Sequence, residues 1–362
     1  FEIPTGIVAD VRSRRLSVII GTWLIGAGFL VEGSFPHFLP ILAAQLLWGV
    51  GYTFTSGALE AWISDEIGEE NAAIAFMSGA KVSQIGALSA TLISVALAQR
   101  YLNTPILIGG GMFMLLALYL MRFMPEEGFH PTPPGERTTW QQMGETLRSG
   151  MGMLRVRPAL VGILLIGLFF GLYSEGYDRL WNASLLERFP LPAIAGLAQI
   201  TWFGLIEGGS YLLAALATGW VEKRVNLSSL PRLVRLLGIA SILLVGALFG
   251  YATAGSLGLA IALIFSISAL REVIYPLYTA WVNHRLDPAV RATVLSMSGQ
   301  VDAIGQIAGG PALGLVAKQV SIQAGLLGSA ALLTPVLLLI AWQAAQPDGR
   351  SRAENKPQAD GG

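Results

Sequence analysis

Runs of about 20 apolar residues, the length that carries a helix across roughly 30 Å of hydrocarbon, recur along this chain from one end to the other. They fall near 16–35, 39–63, 72–97, 105–123, 158–181, 194–221, 230–252, 256–282, 292–317 and 322–343, with an apolar stub at 1–9 before them. Inside a bilayer every backbone N–H and C=O must be paired within the protein, which leaves only helices and closed barrels. A barrel strand alternates polar with apolar, and none of these runs does. The expected fold class is an all-α integral membrane protein with ten complete transmembrane helices and the end of one more.

Composition matters here for what it excludes. Charged residues make up 13% of the chain, against about 25% in a soluble domain. The formal net charge is zero, so the basic footprint of a nucleic-acid binder is missing and no nucleic-acid partner is expected. The chain has no cysteine, and its histidines, His37, His130 and His284, are scattered, so no metal site is expected. A phosphate-binding G-x-x-x-x-G-K-[ST] loop is absent, as are a nucleophile elbow and a zinc-helix motif; no cofactor and no enzymatic activity are expected.

Lysine and arginine placement orients the helices. Seventeen of the 23, among them Arg12, Arg14, Arg15, Arg122, Arg232, Arg235 and Arg350, fall on one side of the spans. The other side holds Arg100, Arg179, Arg188 and Lys318, and Lys81 and Arg271 lie within spans. By the positive-inside rule the first side is cytosolic, placing the central loop and the C-terminus there in a multi-pass protein of the inner (plasma) membrane. The spans divide at the longest polar insert. Residues 1–124 form an N-terminal bundle, 125–157 a cytosolic loop, 158–345 a C-terminal bundle and 346–362 a disordered tail. Within the loop, Trp140, Met143, Leu147, Met151 and Leu154 recur at helical spacing and predict an amphipathic helix on the membrane surface.

The two sides of that insert echo each other. Ala61-Trp62-Ile63-Ser64 returns as Ala280-Trp281-Val282-Asn283, and Met77-Ser78-Gly79 as Met297-Ser298-Gly299, at a spacing of about 220 residues. Two parallel halves of this kind are the architecture of transporters in which one bundle rocks against the other.

The opening stretch, Gly6-Ile-Val-Ala-Asp10-Val-Arg12-Ser-Arg14-Arg15, resembles the signature loop between the second and third helices of the major facilitator superfamily of secondary transporters, roughly G-x-x-x-D-R-x-G-R-R. Gly6, Asp10, Arg14 and Arg15 match; Val11 and Ser13 depart from it. The resemblance implies two pseudo-symmetric six-helix bundles and a gating role for Gly6, Asp10, Arg14 and Arg15. It also implies that the chain is N-terminally truncated, lacking helix 1 and most of helix 2. Gly6 is read as letting backbones approach closely and Asp10 as bonding the arginines or a neighbouring helix N-terminus. Drug-exporting members carry a glycine-proline motif in helix 5 and an arginine before a G-x-G in helix 4. Here helix 5 has no proline, Gly310-Pro311 falls in helix 11, and Gln45 precedes Gly49-x-Gly51.

A charge inside the bilayer costs roughly 2.5–3.5 kcal/mol on insertion scales and needs a partner or a purpose. Candidates for proton coupling or charge pairing are Lys81, Glu207, Arg271, Glu272, Asp302 and, nearer a helix end, Glu60. Lys81 and Asp302 stand at matching depths of the two halves and are expected either to pair or to be satisfied separately. Arg271 is expected to pair with Glu207 or Asp302. Glu175, Asp178 and Arg179 read as an outer vestibule with Tyr173, Tyr177 and Trp181, or as an i,i+4 pair at the rim. Trp48, Tyr52, Phe54, Tyr173, Tyr275 and Tyr278 read as substrate-cavity aromatics.

The function expected is secondary active transport of a small organic solute by alternating access, with proton-coupled export of drug-like amphipathic compounds as the leading form. Uptake or exchange of a metabolite is the alternative within transport, and a non-transporting scaffold or decayed gene remnant the alternative outside it. The expected partners are the solute, protons and the lipid bilayer, and the expected state is a monomer.

Overall fold

A computed structural model of the chain describes the backbone of residues 2–131, 158–193, 199–224, 230–285 and 288–344. Twelve helices and no strand occur among the described residues. They are α1 (Glu2–Val11), α2 (Arg14–Ser34), α3 (Phe38–Thr55), α4 (Ala58–Ile67), α5 (Glu69–Ala98) and α6 (Thr104–Phe123). Then come α7 (Pro158–Arg188), α8 (Ile200–Arg224), α9 (Leu230–Thr253), α10 (Leu257–Arg285), α11 (Pro288–Gln319) and α12 (Ile322–Ala344). Eight spans among the described residues are long and apolar enough to cross a bilayer, α3 and α4 counting as one. In α5 the described apolar stretch is shorter, Ile85–Ala98. The amphipathic helix expected between Trp140 and Leu154 and the tail beyond Ala344 lie outside the described residues.

The run expected as one helix over 39–63 is two. Gly57 separates α3 from α4 at φ 73°, and Gly68 separates α4 from α5 at φ 80°, a region of backbone space that glycine alone enters without strain. Elsewhere the ends follow local chemistry. The Ser13 side chain accepts from the Leu16 N–H to cap α2, and Pro36 follows its C-terminus, where a proline discourages further helix.

The chain forms two compact units, residues 1–145 with 193–204, and residues 146–192 with 205–362. In the first, α2 is the central element and packs on α3 and α6. Its small residues make this possible: a Cβ on Gly21 would come within 2.5 Å of the Gly51 carbonyl oxygen, and one on Gly28 within 2.8 Å of that of Ala44. Lipid is as apolar as leucine, so helix association in a bilayer rests on such close packing rather than on hydrophobic burial.

In the second unit α7 packs along α11 and α12, and α9 along α10 and α12. Leu233, Leu237, Leu244 and Leu248 of α9 recur at spacings of four and seven and are all buried, the stripe that a helix presents to its neighbours. Between α7 and α11 the contact is backbone on backbone. A Cβ on Gly171 would overlap the Asp302 carbonyl oxygen, and one on Gly305 that of Leu168. This close seam brings one face of α7 and one face of α11 together beside α10, and a cavity lies there.

Candidate functional site

Three helices of the second unit each contribute a stripe to a cavity of about 400 Å³. From α7 come Gly167, Phe170 and Ser174; from α10, Arg271, Tyr275 and Tyr278; from α11, Ser298, Asp302 and Gln306. Spacings of three, four and seven place each set on one helical face. The walls are aromatic: Phe170 lies 5.8 Å from the Tyr173 ring and 6.2 Å from the Tyr278 ring, centroid to centroid. Tyr278 is held in place by its hydroxyl, which donates to the Ile163 carbonyl at 3.0 Å and meets Ser298 Oγ at 3.1 Å.

Arg271 pairs neither with Glu207 nor with Asp302 as expected. Its Nη1 and Nη2 donate to the two carboxylate oxygens of Asp178 on α7, at 2.5 and 2.9 Å. The planar guanidinium matches a carboxylate edge to edge, and it also stands over the Tyr177 ring at 5.9 Å. Asp302 accepts instead from a neutral group, Gln306 Nε2, one turn further along α11 at 2.8 Å. Its other oxygen, Oδ1, accepts no hydrogen bond from a described residue.

Of the vestibule expected at the end of α7, the aromatic side chains lie inside the helix packing. Tyr173, Tyr177 and Trp181 are all buried, and the Trp181 carbonyl accepts from the Tyr251 hydroxyl at 2.7 Å. Tyr177 and Trp181 both meet Tyr251 of α9, and Tyr173 borders the cavity. Glu175 and Arg179 form the i,i+4 pair at 3.2 Å, with Arg179 mostly exposed. Asp178, one residue along, turns to Arg271.

Glu207 is half-buried in α8, outside the cavity lining. Glu272 and Glu60 are exposed and make no ion pair among the described residues. The Lys81 side chain lies outside the described ones. Trp48 and Tyr52 stack on α3 at 5.9 Å, and Phe54 lends its carbonyl to Ser17; none of these three borders the cavity. Of the expected cavity aromatics, the second unit gathers Tyr173, Tyr275 and Tyr278.

The opening loop has a different architecture from the one expected. A Cβ on Gly6 would meet nothing within 4 Å, so no close backbone approach depends on that glycine. Asp10 makes no ion pair among the described residues. The arginines are held by other acceptors: Arg14 Nη1 reaches Asp65 Oδ2 at 2.5 Å, and Arg15 Nη2 the Met121 carbonyl at 2.5 Å. The anchor that the sequence did not single out is Glu126. It accepts from Ser13 Oγ at 2.7 Å and from the Arg15 backbone N–H at 2.9 Å, a carboxylate on the positive end of α2. Trp62 Nε1 donates to the Pro125 carbonyl at 2.7 Å, and the Gly128 N–H to Glu66 at 2.8 Å. The segment after α6 is thereby tied to both α2 and α4.

An aromatic-walled cavity with a few charged and polar groups, set among helices of membrane-spanning length, defines a multi-pass membrane protein equipped to admit a small molecule. The family model described as Major Facilitator Superfamily matches residues 1–310, and the chain belongs to that family, one of transporters rather than enzymes. An "Uncharacterized MFS-type transporter YxaM" of Bacillus subtilis (strain 168) is 20% identical over 351 residues, covering 93% of this chain and 82% of the relative. Among solved structures, that of the nucleoside transporter NupG has a TM-score of 0.72 at 13% identity, covering 94% of this chain and 86% of its own. A POT family transporter in complex with 5-aminolevulinic acid has a TM-score of 0.66 at 15% identity, covering 95% and 85%.

Proposed function

We propose that this transporter exports small amphipathic organic compounds in exchange for protons, by alternating access, and that the cavity among α7, α10 and α11 forms part of the solute path. The observation that carries this reading is the cavity itself. About 400 Å³ walled by Phe170, Tyr173, Tyr275 and Tyr278 suits an aromatic or apolar body. Asp302 supplies a carboxylate in the same space. A carboxylate removed from bulk water is the group through which a membrane protein carries a proton. Glu207 is the second candidate for that role, and the Asp178–Arg271 pair is the structural brace. The basic end of the helices faces the cytosol of a cell whose inner (plasma) membrane holds the protein.

The test is flux through proteoliposomes of the purified protein, with a pH gradient imposed in each direction and a panel of single-ring and multi-ring aromatic dyes as solutes. Gradient-dependent movement of at least one dye, against the direction of proton flow, is the expected result. No flux of any dye under either gradient would remove the reading. Uptake or exchange of a metabolite is favoured instead if dyes move only with the protons; the departures of helices 4 and 5 from the exporters' pattern support that second reading.

A further inference from the structure

We infer that the solute class accepted by the cavity among α7, α10 and α11 is an organic cation, an aromatic or alkyl ammonium whose positive group is held by Asp302. The inference rests on the reading of that cavity as a solute site. Two charged residues line it, Arg271 and Asp302, and Arg271 is already paired with Asp178 outside the lining, so the three formal charges together leave one negative charge over. Both carboxylate oxygens of Asp178 are taken by Arg271, and the guanidinium is further engaged by the Tyr177 ring at 5.9 Å. The carboxylate of Asp178 already neutralises the guanidinium, which lowers its attraction for an anionic solute. Asp302 has no such partner. It takes one hydrogen bond from the neutral amide of Gln306 at 2.8 Å, and Oδ1 accepts none from a described residue.

The surroundings suit the same charge. Phe170, Tyr173 and Tyr278 wall the cavity, and ring faces are negative, attracting ammonium groups most strongly where water is excluded. The Tyr278 hydroxyl is spent on the Ile163 carbonyl and Ser298, so that residue offers its ring rather than a free donor. A carboxylate with an open oxygen, set beside aromatic rings and next to an arginine already neutralised, selects positive over negative ligands of equal size.

The experiment is titration calorimetry on the detergent-purified protein with phenyltrimethylammonium and, in parallel, benzenesulfonate, single-ring ions of opposite charge. The cation is expected to bind at least about tenfold more tightly than the sulfonate. Asp302→Asn is expected to weaken the cation by a similar factor while Asp302→Glu retains it, with the melting temperature of each variant measured alongside. Equal or tighter binding of benzenesulfonate, unchanged cation affinity in Asp302→Asn, or binding of neither ion would each overturn the inference. The comparison of the two ions on the unaltered protein decides the matter even if Asp302→Asn does not fold. Failure here with dye flux intact in proteoliposomes would sink the charge preference alone; loss of all flux would sink the transport reading beneath it.

Discussion

Asp178 and Arg271 show how a single ion pair inside a membrane protein is satisfied by geometry that sequence spacing does not reveal. Adjacent residues on a helix point about 100° apart, so Arg271 and Glu272 need different surroundings. The rotation of α10 gives Arg271 the face of α7 that carries Asp178 and leaves Glu272 exposed. Asp178→Asn removes the charge that holds the guanidinium fork. It is expected to lower stability by about 1–2 kcal/mol, the lower part of the range for charged hydrogen bonds because both side chains are partly exposed. Thermal unfolding of the purified protein measures it, and a double-mutant cycle with Arg271→Gln should show the two losses to be non-additive. At the loop before α2, Ser13→Ala removes the helix cap and the bond to Glu126 and is expected to cost about 1 kcal/mol. A Glu126→Gln loss of comparable size would show that the carboxylate contributes through the same helix end.

Glycine placement decides where elements break and where they touch. Gly57 has φ 73°, and a Cβ there would meet nothing within 4 Å. Gly57→Ala therefore isolates the backbone cost of that conformation, expected at about 1–2 kcal/mol of stability. Gly171 is the opposite case: its φ is ordinary, but a Cβ would strike the Asp302 backbone across the seam of α7 and α11. Gly171→Val is expected to push the two helices apart, cost at least about 1–3 kcal/mol, and weaken ligand binding in the adjoining cavity. A variant with unchanged melting temperature and unchanged binding would show that the seam is not tight. The sequence made the spans visible because apolar length is a local property. It made the break at Gly57 and the seam at Gly171 invisible, because a glycine among apolar residues looks the same whether it bends the chain, admits a neighbour or, as at Gly6, does neither. Ser298 and Gln306 were legible in principle: with Asp302 they form a polar stripe at spacing four. Glu126 was not, since its role follows from where the chain returns after α6.

At the scale of the molecule, each unit builds its own set of close-packed helices, and the echoed sequence motifs have diverged in use. Trp62 donates to the Pro125 carbonyl, whereas its counterpart Trp281 is fully buried. Orientation is open to direct test because the chain has no cysteine. With a cysteine at Arg122 or at Arg100, a membrane-impermeant maleimide applied to intact cells is expected to label the Arg100 position at once and the Arg122 position only after permeabilisation. The reverse pattern would invert the topology. The central claim, that a member of the Major Facilitator Superfamily moves its solute through the Asp302 cavity, is tested most directly by pH-gradient-driven solute flux in proteoliposomes of the protein and of Asp302→Asn. A loss of at least about tenfold in the variant, equivalent to about 1.4 kcal/mol, is the outcome expected; equal gradient-driven flux through both would contradict it.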